Sequence, residues 1–287
     1  MDPPHVTSPN LPFPRNILSG VTRAAAFFDL DKTIIAKSST LAFGKPFYQG
    51  GLISRRAVLK STYAQFVYLV GGADAEQMDR MRDYLKELCT GWDAEQVRSI
   101  VRETLHDLID PLVYDEAVSL IEEHRAAGRS VVIVSSSGEE IVGPIGEMLG
   151  ADRVIATRVE IVDGVYTGEI DFYAYGPHKA TAMRTIAAEE GWDLGDCYAY
   201  SDSATDLPML EAVGHPVAVN PDKALRRTAT ERGWLVVDFQ RPVSLASRMP
   251  RLRAPSRPVL AGAAVGVGAA ALGWHFISAR RRARRGA

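Results

Sequence analysis

Short apolar runs alternate with helical patterns along most of the chain. The strand-like runs are Ala24–Leu30, Ser130–Val134, Val154–Ile161, Tyr198–Tyr200, Pro216–Val219 and Trp234–Phe239. Helical patterns lie between them, such as Asp115–Ala127 and Lys179–Glu190, and each of these two is followed by a glycine that can end a helix. This alternation predicts an α/β fold with a doubly wound, mostly parallel, Rossmann-like sheet.

One pair of apolar runs has a much shorter connection. Val159–Val162 and Val165–Ile170 are separated only by Asp163-Gly164. Asp-Gly is a favoured two-residue hairpin turn. We therefore expect one antiparallel pair in the sheet.

The same patterns divide the chain into segments. We expect a catalytic core from residues 24–40 and 114–240, and a helical cap from 41–113, which has long helical patterns and no convincing strand. Residues 1–23 are proline-rich without helical periodicity and predict a flexible lead-in, and 241–287 form a separate tail. A length of 287 residues is ample for one α/β domain with a large insertion.

Charge is distributed unevenly between the core and the tail. From residue 241 onward there are ten arginines and no acidic residue, so the net charge of −2 is the sum of +10 in the tail and −12 elsewhere. Residues 259–277 carry no charge and are flanked by arginines, which predicts a membrane segment. An anionic lipid is the expected partner of the tail, and no nucleic acid is expected.

The tail has three interpretations. Residues 1–23 lack the apolar stretch of a signal peptide, so the catalytic part is expected in the cytoplasm. A true span of 259–277 would then place five arginines outside, against the positive-inside tendency. A tail lying on the membrane surface avoids this conflict. A core helix or a low-complexity tail is a third interpretation, and the sequence indicates no particular oligomeric state.

The strongest chemical signal follows the first apolar run. Asp29 and Asp31 come at its carboxyl end, where open α/β sheets bind ligands. Two carboxylates on one tight segment repel each other unless a cation or a reaction uses them. The pattern indicates a nucleophile, a proton donor and a Mg²⁺ site.

Three later strand ends and loops add groups that suit a phosphate. Ser135 and Ser136 follow the second run, and hydroxyls with free backbone N–H groups there can hold phosphate oxygens. Lys179 opens a predicted helix after a loop and can bring an ammonium to the same oxygens. Asp202 and Asp206 follow Tyr198–Tyr200. Taken singly, each has a simpler interpretation as a loop, cap or surface residue.

Together these residues resemble the four motifs of the haloacid dehalogenase superfamily of hydrolases, and the inserted cap resembles its phosphoserine-phosphatase-like branch, subfamily IB. The resemblance implies a Mg²⁺-dependent phosphomonoesterase that forms an aspartyl-phosphate. It implies Asp29 as nucleophile and Asp31 as general acid and base, with Ser135, Ser136 and Lys179 binding phosphate. It further implies Asp29, the Asp31 carbonyl and Asp202 as metal ligands, and Thr33 and Asp206 as supporting residues.

The first motif also fits a second alignment. Asp31-Lys32-Thr33 also resembles the D-K-T of P-type ATPases, in which Asp31 would be the nucleophile. Those pumps need many membrane helices and a far longer chain. Asp29 directly follows the apolar run and has an aspartate two residues on, which favours Asp29.

The substrate is expected to differ from phosphoserine. Family members specific for phosphoserine use a glutamate shortly after the first motif, whereas residues 34–73 contain no acid and several basic and aromatic side chains. We therefore expect a lipid-linked or other anionic phosphate ester at a membrane. A soluble-metabolite phosphatase with a mere anchor and a catalytically retired scaffold are the alternatives.

Overall fold

The computed structural model describes residues 23–53, 83 and 86–240. In this part of the chain, seven strands form one sheet in the order β4-β3-β2-β1-β5-β6-β7, and all neighbours are parallel except β3 and β4. The strands are β1 Ala25–Asp29, β2 Ser130–Gly138, β3 Arg153–Val162, β4 Val165–Phe172, β5 Tyr198–Ser201, β6 His215–Val219 and β7 Leu235–Val237. The predicted fold class is confirmed.

The described α-helices connect and cover these strands. They are α1 Ser39–Ala42, α2 Gly44–Gln49, α3 Ala94–Ile109, α4 Asp115–Ala126, α5 Glu139–Leu149, α6 Pro177–Glu190, α7 Leu207–Leu210 and α8 Lys223–Arg232. Residues 86–89 are also helical. Short 3₁₀ turns lie at Asp110–Leu112, Leu194–Asp196 and Ala204–Asp206.

The element bounds differ from the sequence expectation in two places near the candidate site. Strand β2 continues through the serines to Gly138, where a loop was predicted after Val134. Helix α6 begins at Pro177 because proline at the first turn needs no N–H partner, so Lys179 lies within the first turn. The predicted end of this helix is confirmed, since Gly191 adopts the left-handed conformation at its C-cap.

Both faces of the sheet are covered, which explains why β1 is apolar at every position before Asp29. Ala26 and Phe28 face the cluster that includes α3, α4 and α5, whereas Ala25 and Phe27 face the cluster that includes α6, α7 and α8. All five residues of β1 are buried. A strand buried on both faces reads as a continuous apolar run rather than as an alternating one.

The predicted hairpin is confirmed between β3 and β4. Asp163 and Gly164 both have positive φ, +51° and +82°, as a type I′ turn requires. Val162 pairs with Val165 across the turn. The antiparallel strand β4 therefore forms one edge of the sheet.

The described parts of residues 41–113 are mainly helical and pack against the core. Phe43 and Phe47 are both buried, with their rings 6.0 Å apart, and Phe47 also contacts Trp92. These two aromatic residues of the acid-free stretch thus belong to the hydrophobic core, whereas Tyr48 is exposed. Residues 54–82, which hold the rest of that stretch, lie outside the described residues, and the cap boundary at 41–113 stays a prediction.

The predicted membrane segment 259–277 and the whole tail 241–287 also lie outside the described residues, as do residues 1–22 of the lead-in. Among the helices that the structure does describe, none has the length and apolar character needed to cross a membrane.

Candidate active site

The sheet order brings three chain segments to one point. Strand β1 lies between β2 and β5, with Asp29 beside Val134 and Phe28 beside Tyr200. Strands β2, β3 and β4 follow β1 in sequence and lie on one flank of β1, and the chain then returns to form β5 on its other flank. The carboxyl ends of these strands therefore frame a crevice of the kind in which α/β folds bind ligands.

Asp29 is the last residue of β1 and is 7% exposed. Its Oδ1 accepts a hydrogen bond from Lys179 Nζ at 2.6 Å, and its Oδ2 accepts one from Thr33 Oγ1 at 3.3 Å. Burial raises the pKa of Asp29 well above its usual value, and the Lys179 ammonium opposes this shift. Two partners from different segments thus fix the orientation of the carboxylate.

Lys179 is buried between two carboxylates. Its Nζ donates to Asp29 and, at 2.8 Å, to Asp206 Oδ2. Burial alone would lower the pKa of this lysine, but Asp206 and Asp29 outweigh burial and hold it above its usual value. Asp206 Oδ2 also accepts from Ser201 Oγ at 2.8 Å, so the predicted support of Lys179 by Asp206 is present as a direct contact.

Asp31 follows in the turn after β1 and meets a different set of groups. Its Oδ1 accepts from the backbone N–H of Ser39 at 2.8 Å, and its Oδ2 accepts from Ser137 Oγ at 3.4 Å. Burial raises the pKa of Asp31, whereas these hydrogen bonds from Ser39 and Ser137 oppose the shift. The two aspartates of the first motif thus have separate partners, which suits separate chemical roles.

The two predicted phosphate-binding serines are placed differently. Ser135 is buried at 1% exposure, and its Oγ accepts from the Ser137 N–H at 3.2 Å, which leaves a hydroxyl proton that can be donated. Ser136 instead uses its backbone carbonyl, which accepts from Thr157 Oγ1 at 2.7 Å. Geometry therefore favours Ser135 over Ser136 for a phosphate oxygen.

Asp202 lies just beyond β5 and is held by its backbone. Its carbonyl accepts from the Asp222 N–H at 2.7 Å, while Asp222 Oδ2 accepts from the Ala204 N–H at 2.9 Å. Burial raises the pKa of Asp202 to about 7, Lys32 opposes the shift, and Asp206 adds to it. The Lys32 ammonium lies 4.0 Å from Asp202 Oδ2.

The donor set fits a Mg²⁺ ion. Besides burial, the charges of Asp206 and Asp202 raise the pKa of Asp29, so these three carboxylates lie near one another, and Lys179 is buried between Asp29 and Asp206. Within residues 23–53, 83 and 86–240, no cluster of three or more His, Cys, Asp or Glu side chains is arranged to hold a metal. The predicted set needs only two such side chains with a main-chain carbonyl, and Mg²⁺ readily keeps several waters.

Five residues near the site were missed by the sequence reasoning, namely Lys32, Ser39, Ser137, Ser201 and Asp222. Lys32 adopts φ +62°, an uncommon conformation for a residue other than glycine. No sequence pattern marks Ser39, because its contact with Asp31 forms only when the chain between β1 and α1 folds back on itself. Ser137 and Ser201 carried a partial signal, since both are hydroxyls at the ends of predicted strands.

A mostly parallel sheet with two aspartates at the carboxyl end of its central strand is the arrangement of a class of hydrolases with an α/β fold. The chain belongs to the haloacid dehalogenase-like hydrolase family, whose family model matches residues 26–211.

Named relatives extend this assignment. The chain is 71% identical over 204 residues to the inhibition of morphological differentiation protein of Streptomyces azureus, covering 71% of this chain and 74% of that protein. It is 66% identical over 203 residues to a Mycobacterium tuberculosis protein named as a probable phosphatase, covering 71% of each. A phosphoserine phosphatase, SerB1, of M. tuberculosis is 34% identical over 204 residues, covering 70% of this chain and 66% of SerB1. A histidinol-phosphatase of Neisseria meningitidis is 33% identical over 207 residues, covering 70% and 91%.

Solved structures agree with the fold. A Bordetella pertussis protein of unknown function has a TM-score of 0.68 and 31% identity, covering 76% of this chain and 99% of its own. A phosphoserine phosphatase solved as a phospho-aspartyl intermediate analogue has a TM-score of 0.56 and 21% identity, covering 81% and 100%. Family and relatives together support phosphatase activity.

Proposed function

We propose that this phosphatase hydrolyses phosphomonoesters by transferring the phosphoryl group to Asp29. The observation that carries the proposal is the contact of the buried Asp29 carboxylate with Lys179 on one oxygen and Thr33 on the other. A carboxylate fixed in this way at a strand end is available for in-line attack. Carboxylates are established covalent nucleophiles once neighbouring cations neutralise the phosphate.

In the first step, an Asp29 oxygen forms a bond to phosphorus while the bond from phosphorus to the ester oxygen breaks. Asp31 donates its proton to that departing oxygen, which leaves as an alcohol. Its raised pKa suits a group that must be protonated at this stage. Lys179 and Ser135 donate to the transferring phosphoryl oxygens, where negative charge must be stabilised.

In the second step, Asp31 takes a proton from a water molecule, and the resulting oxygen attacks phosphorus. The bond between phosphorus and Asp29 breaks, which releases inorganic phosphate and restores both aspartates. Asp31 thus serves as an acid in the first step, which needs a proton on the departing oxygen, and as a base in the second, which needs a proton removed from water. Asp206 keeps Lys179 oriented through both steps by their 2.8 Å contact.

Asp29, the Asp31 carbonyl and Asp202 are the residues that would hold Mg²⁺. When bound, the ion supplies positive charge that offsets the repulsion between the phosphate and the Asp29 carboxylate. The excess of carboxylates around Lys179 supports a divalent cation over a monovalent one.

The proposed substrate is a lipid-linked or other anionic phosphate ester, in a protein that associates with the membrane through its tail. Lys37 and Lys45 are exposed on the described part of the acid-free stretch, and residues 34–53 include no carboxylate to pair with a substrate ammonium. The relatives named for phosphoserine and histidinol phosphate act on amine-bearing esters, and each is only 34% or 33% identical to this chain over the aligned residues. Phosphoserine hydrolysis is thus the second candidate.

A substrate panel tests this proposal with purified full-length protein. The panel contains phosphoserine, histidinol phosphate, p-nitrophenyl phosphate, and lysophosphatidic acid in vesicles of anionic phospholipid. We expect the highest kcat/KM on the vesicle-borne ester. The Asp29→Asn variant, purified in parallel, measures any contaminating phosphatase.

Removing residues 241–287 separates the contribution of the tail. The shortened chain should keep its rate on p-nitrophenyl phosphate and lose most of its rate on vesicles, because basic residues near an anionic surface contribute about 1 kcal/mol each to binding. A preference for phosphoserine in both chains would replace the lipid proposal with the soluble-metabolite alternative.

A further inference from the structure

Three hydroxyl side chains form a cluster beside Asp31, which we call the hydroxyl cluster and define as Ser39, Thr40 and Ser137. Ser39 Oγ lies 2.9 Å from Ser137 Oγ, and Thr40 Oγ1 lies 3.0 Å from the same atom. Ser137 Oγ in turn contacts Asp31 Oδ2 at 3.4 Å. None of the three belongs to the four motifs of the family.

The hydrogen-bonding capacity of a hydroxyl explains why Ser137 occupies the centre of the cluster. A serine hydroxyl donates one proton and accepts two. If Ser137 accepts from Ser39 and Thr40, its own proton is directed at the Asp31 carboxylate. Every hydrogen-bonding position of the Ser137 oxygen is then used, and its orientation is fixed.

The cluster connects two distant parts of the chain at a buried place. Ser39 is fully buried at the start of α1, and Ser137 is 7% exposed near the end of β2. The backbone N–H of Ser39 holds Asp31 Oδ1 at 2.8 Å, while Ser137 approaches Oδ2. Both carboxylate oxygens are thus held, and the carboxyl plane of Asp31 has little freedom to rotate.

We propose that Ser137 and Ser39 are positioning residues that hold the Asp31 carboxylate in the orientation needed to protonate the leaving oxygen. This proposal rests on the proposed role of Asp31 as the general acid. Ser135 differs from them, because it is placed to contact the phosphate. Loss of the cluster should leave phosphate binding in place and weaken proton donation.

The dependence of kcat/KM on the leaving group tests the positioning role of the cluster, because a purely structural role would affect all esters alike. An alkyl phosphate needs a proton on its departing oxygen, whereas p-nitrophenolate departs without one. The quantity to compare is kcat/KM, which reports the steps up to release of the alcohol and is independent of the later attack by water. Glycerol phosphate and p-nitrophenyl phosphate serve as the two probes.

We expect Ser137→Ala to lower kcat/KM for glycerol phosphate about 10-fold or more, a part of the 10²–10⁴-fold that general acid catalysis contributes. The value for p-nitrophenyl phosphate should change less than about twofold, since no proton transfer is required there. Ser137→Thr keeps the hydroxyl and should restore most of the alkyl rate. Ser99→Ala, the same change at a partly buried position of α3 outside the site, is the matched control.

Thr40→Val keeps the test decisive if Ser137→Ala does not fold, because Thr40 is exposed and valine has the same shape. Thr40→Val should lower kcat/KM for glycerol phosphate less than Ser137→Ala does, and it should again leave the value for p-nitrophenyl phosphate nearly unchanged. Equal losses on both esters, or no loss on either, would overturn the proposal. Asp31→Asn separates failure of the proposed general-acid role from failure of the positioning proposal. If Asp31→Asn lowers kcat/KM equally for both esters, the general-acid role of Asp31 is wrong. If Asp31→Asn lowers the value mainly for glycerol phosphate while the cluster variants do not, only the positioning role of the hydroxyl cluster is wrong.

Discussion

Lys179 and Asp29 form a buried ion pair, with Nζ and Oδ1 2.6 Å apart. The pair connects α6 to the end of β1, two elements separated by 150 residues in sequence. The lysine is shared with Asp206, so the candidate nucleophile, its counter-charge and a supporting carboxylate form one unit. Stability and catalysis should therefore respond together to changes in this unit.

Replacing Lys179 by methionine should destabilise the fold and abolish turnover. The change leaves Asp29 and Asp206 buried without their cation, and breaking a buried pair in this way typically costs about 3–5 kcal/mol. Urea unfolding at pH 7, followed by circular dichroism, measures the free energy of unfolding. Lys223→Met, on the exposed start of α8, should change that free energy by less than about 0.5 kcal/mol.

A double variant shows whether the cost comes from charge. Adding Asp206→Asn to Lys179→Met removes one of the two buried carboxylates that have lost their cation. The double variant should be more stable than Lys179→Met alone, without regaining activity. If the loss of unfolding free energy in the double variant equals the sum of the losses in the two single variants, the cost of removing Lys179 is not electrostatic.

Removal of divalent cations should abolish activity reversibly. Chelation by EDTA removes the charge that offsets the excess of carboxylates, and Mg²⁺ should restore turnover, whereas the larger Ca²⁺ should not, because it prefers more ligands at longer distances. Saturating Mg²⁺ should also raise the free energy of unfolding, by about 2.7 kcal/mol at 100 times its dissociation constant. Asp202→Asn should lose most of this stabilisation, and a full Mg²⁺ response in that variant would exclude Asp202 as a ligand.

His124 should make stability depend on pH. It is buried on α4, where Arg129 Nε donates to its Nδ1 at 2.7 Å, so its Nε2 carries the proton and donates to Tyr200 Oη at 2.7 Å. Burial and the Arg129 charge lower its pKa to about 3, compared with about 6.5 in an unfolded chain. The unfolded state therefore binds the proton first, and stability present above pH 6.5 is lost as the pH falls towards 3.

The expected slope from this residue is up to about 1.4 kcal/mol per pH unit within that window. His124→Gln can keep both hydrogen bonds and does not titrate. Urea unfolding between pH 7 and pH 4.5 should show a shallower loss of stability for the variant than for the wild type. Equal slopes would mean that His124 is protonated in the folded state.

Much of the fold and site was predictable because each signal was local. The apolar run ending at Asp29 marks a buried strand. Asp163-Gly164 marks the hairpin between β3 and β4 by turn chemistry alone. Lys179 opens a predicted helix and was assigned through its place in the four-motif pattern. For the strand and the hairpin, a few adjacent residues carry the information.

The groups that escaped prediction depend on contacts between distant segments. Ser39 and Ser137 meet only because the turn after β1 folds back on the end of β2. Asp222 holds the backbone of Asp202 from the next loop, across a distance in sequence that no periodicity encodes. The position of the aromatic residues was also undecidable from sequence, since Phe43 and Phe47 proved to be core residues.

The proposed mechanism depends most on Asp29 as the phosphoryl acceptor. Rapid quenching during turnover, reduction with borohydride and peptide mass spectrometry convert a phosphorylated aspartate to homoserine and locate it. We predict homoserine at position 29 in the wild type, its absence in Asp29→Asn, and a loss of kcat of at least about 10³-fold in that variant, or about 4 kcal/mol of barrier. Homoserine at position 31, or substantial turnover by Asp29→Asn, would contradict the proposed mechanism.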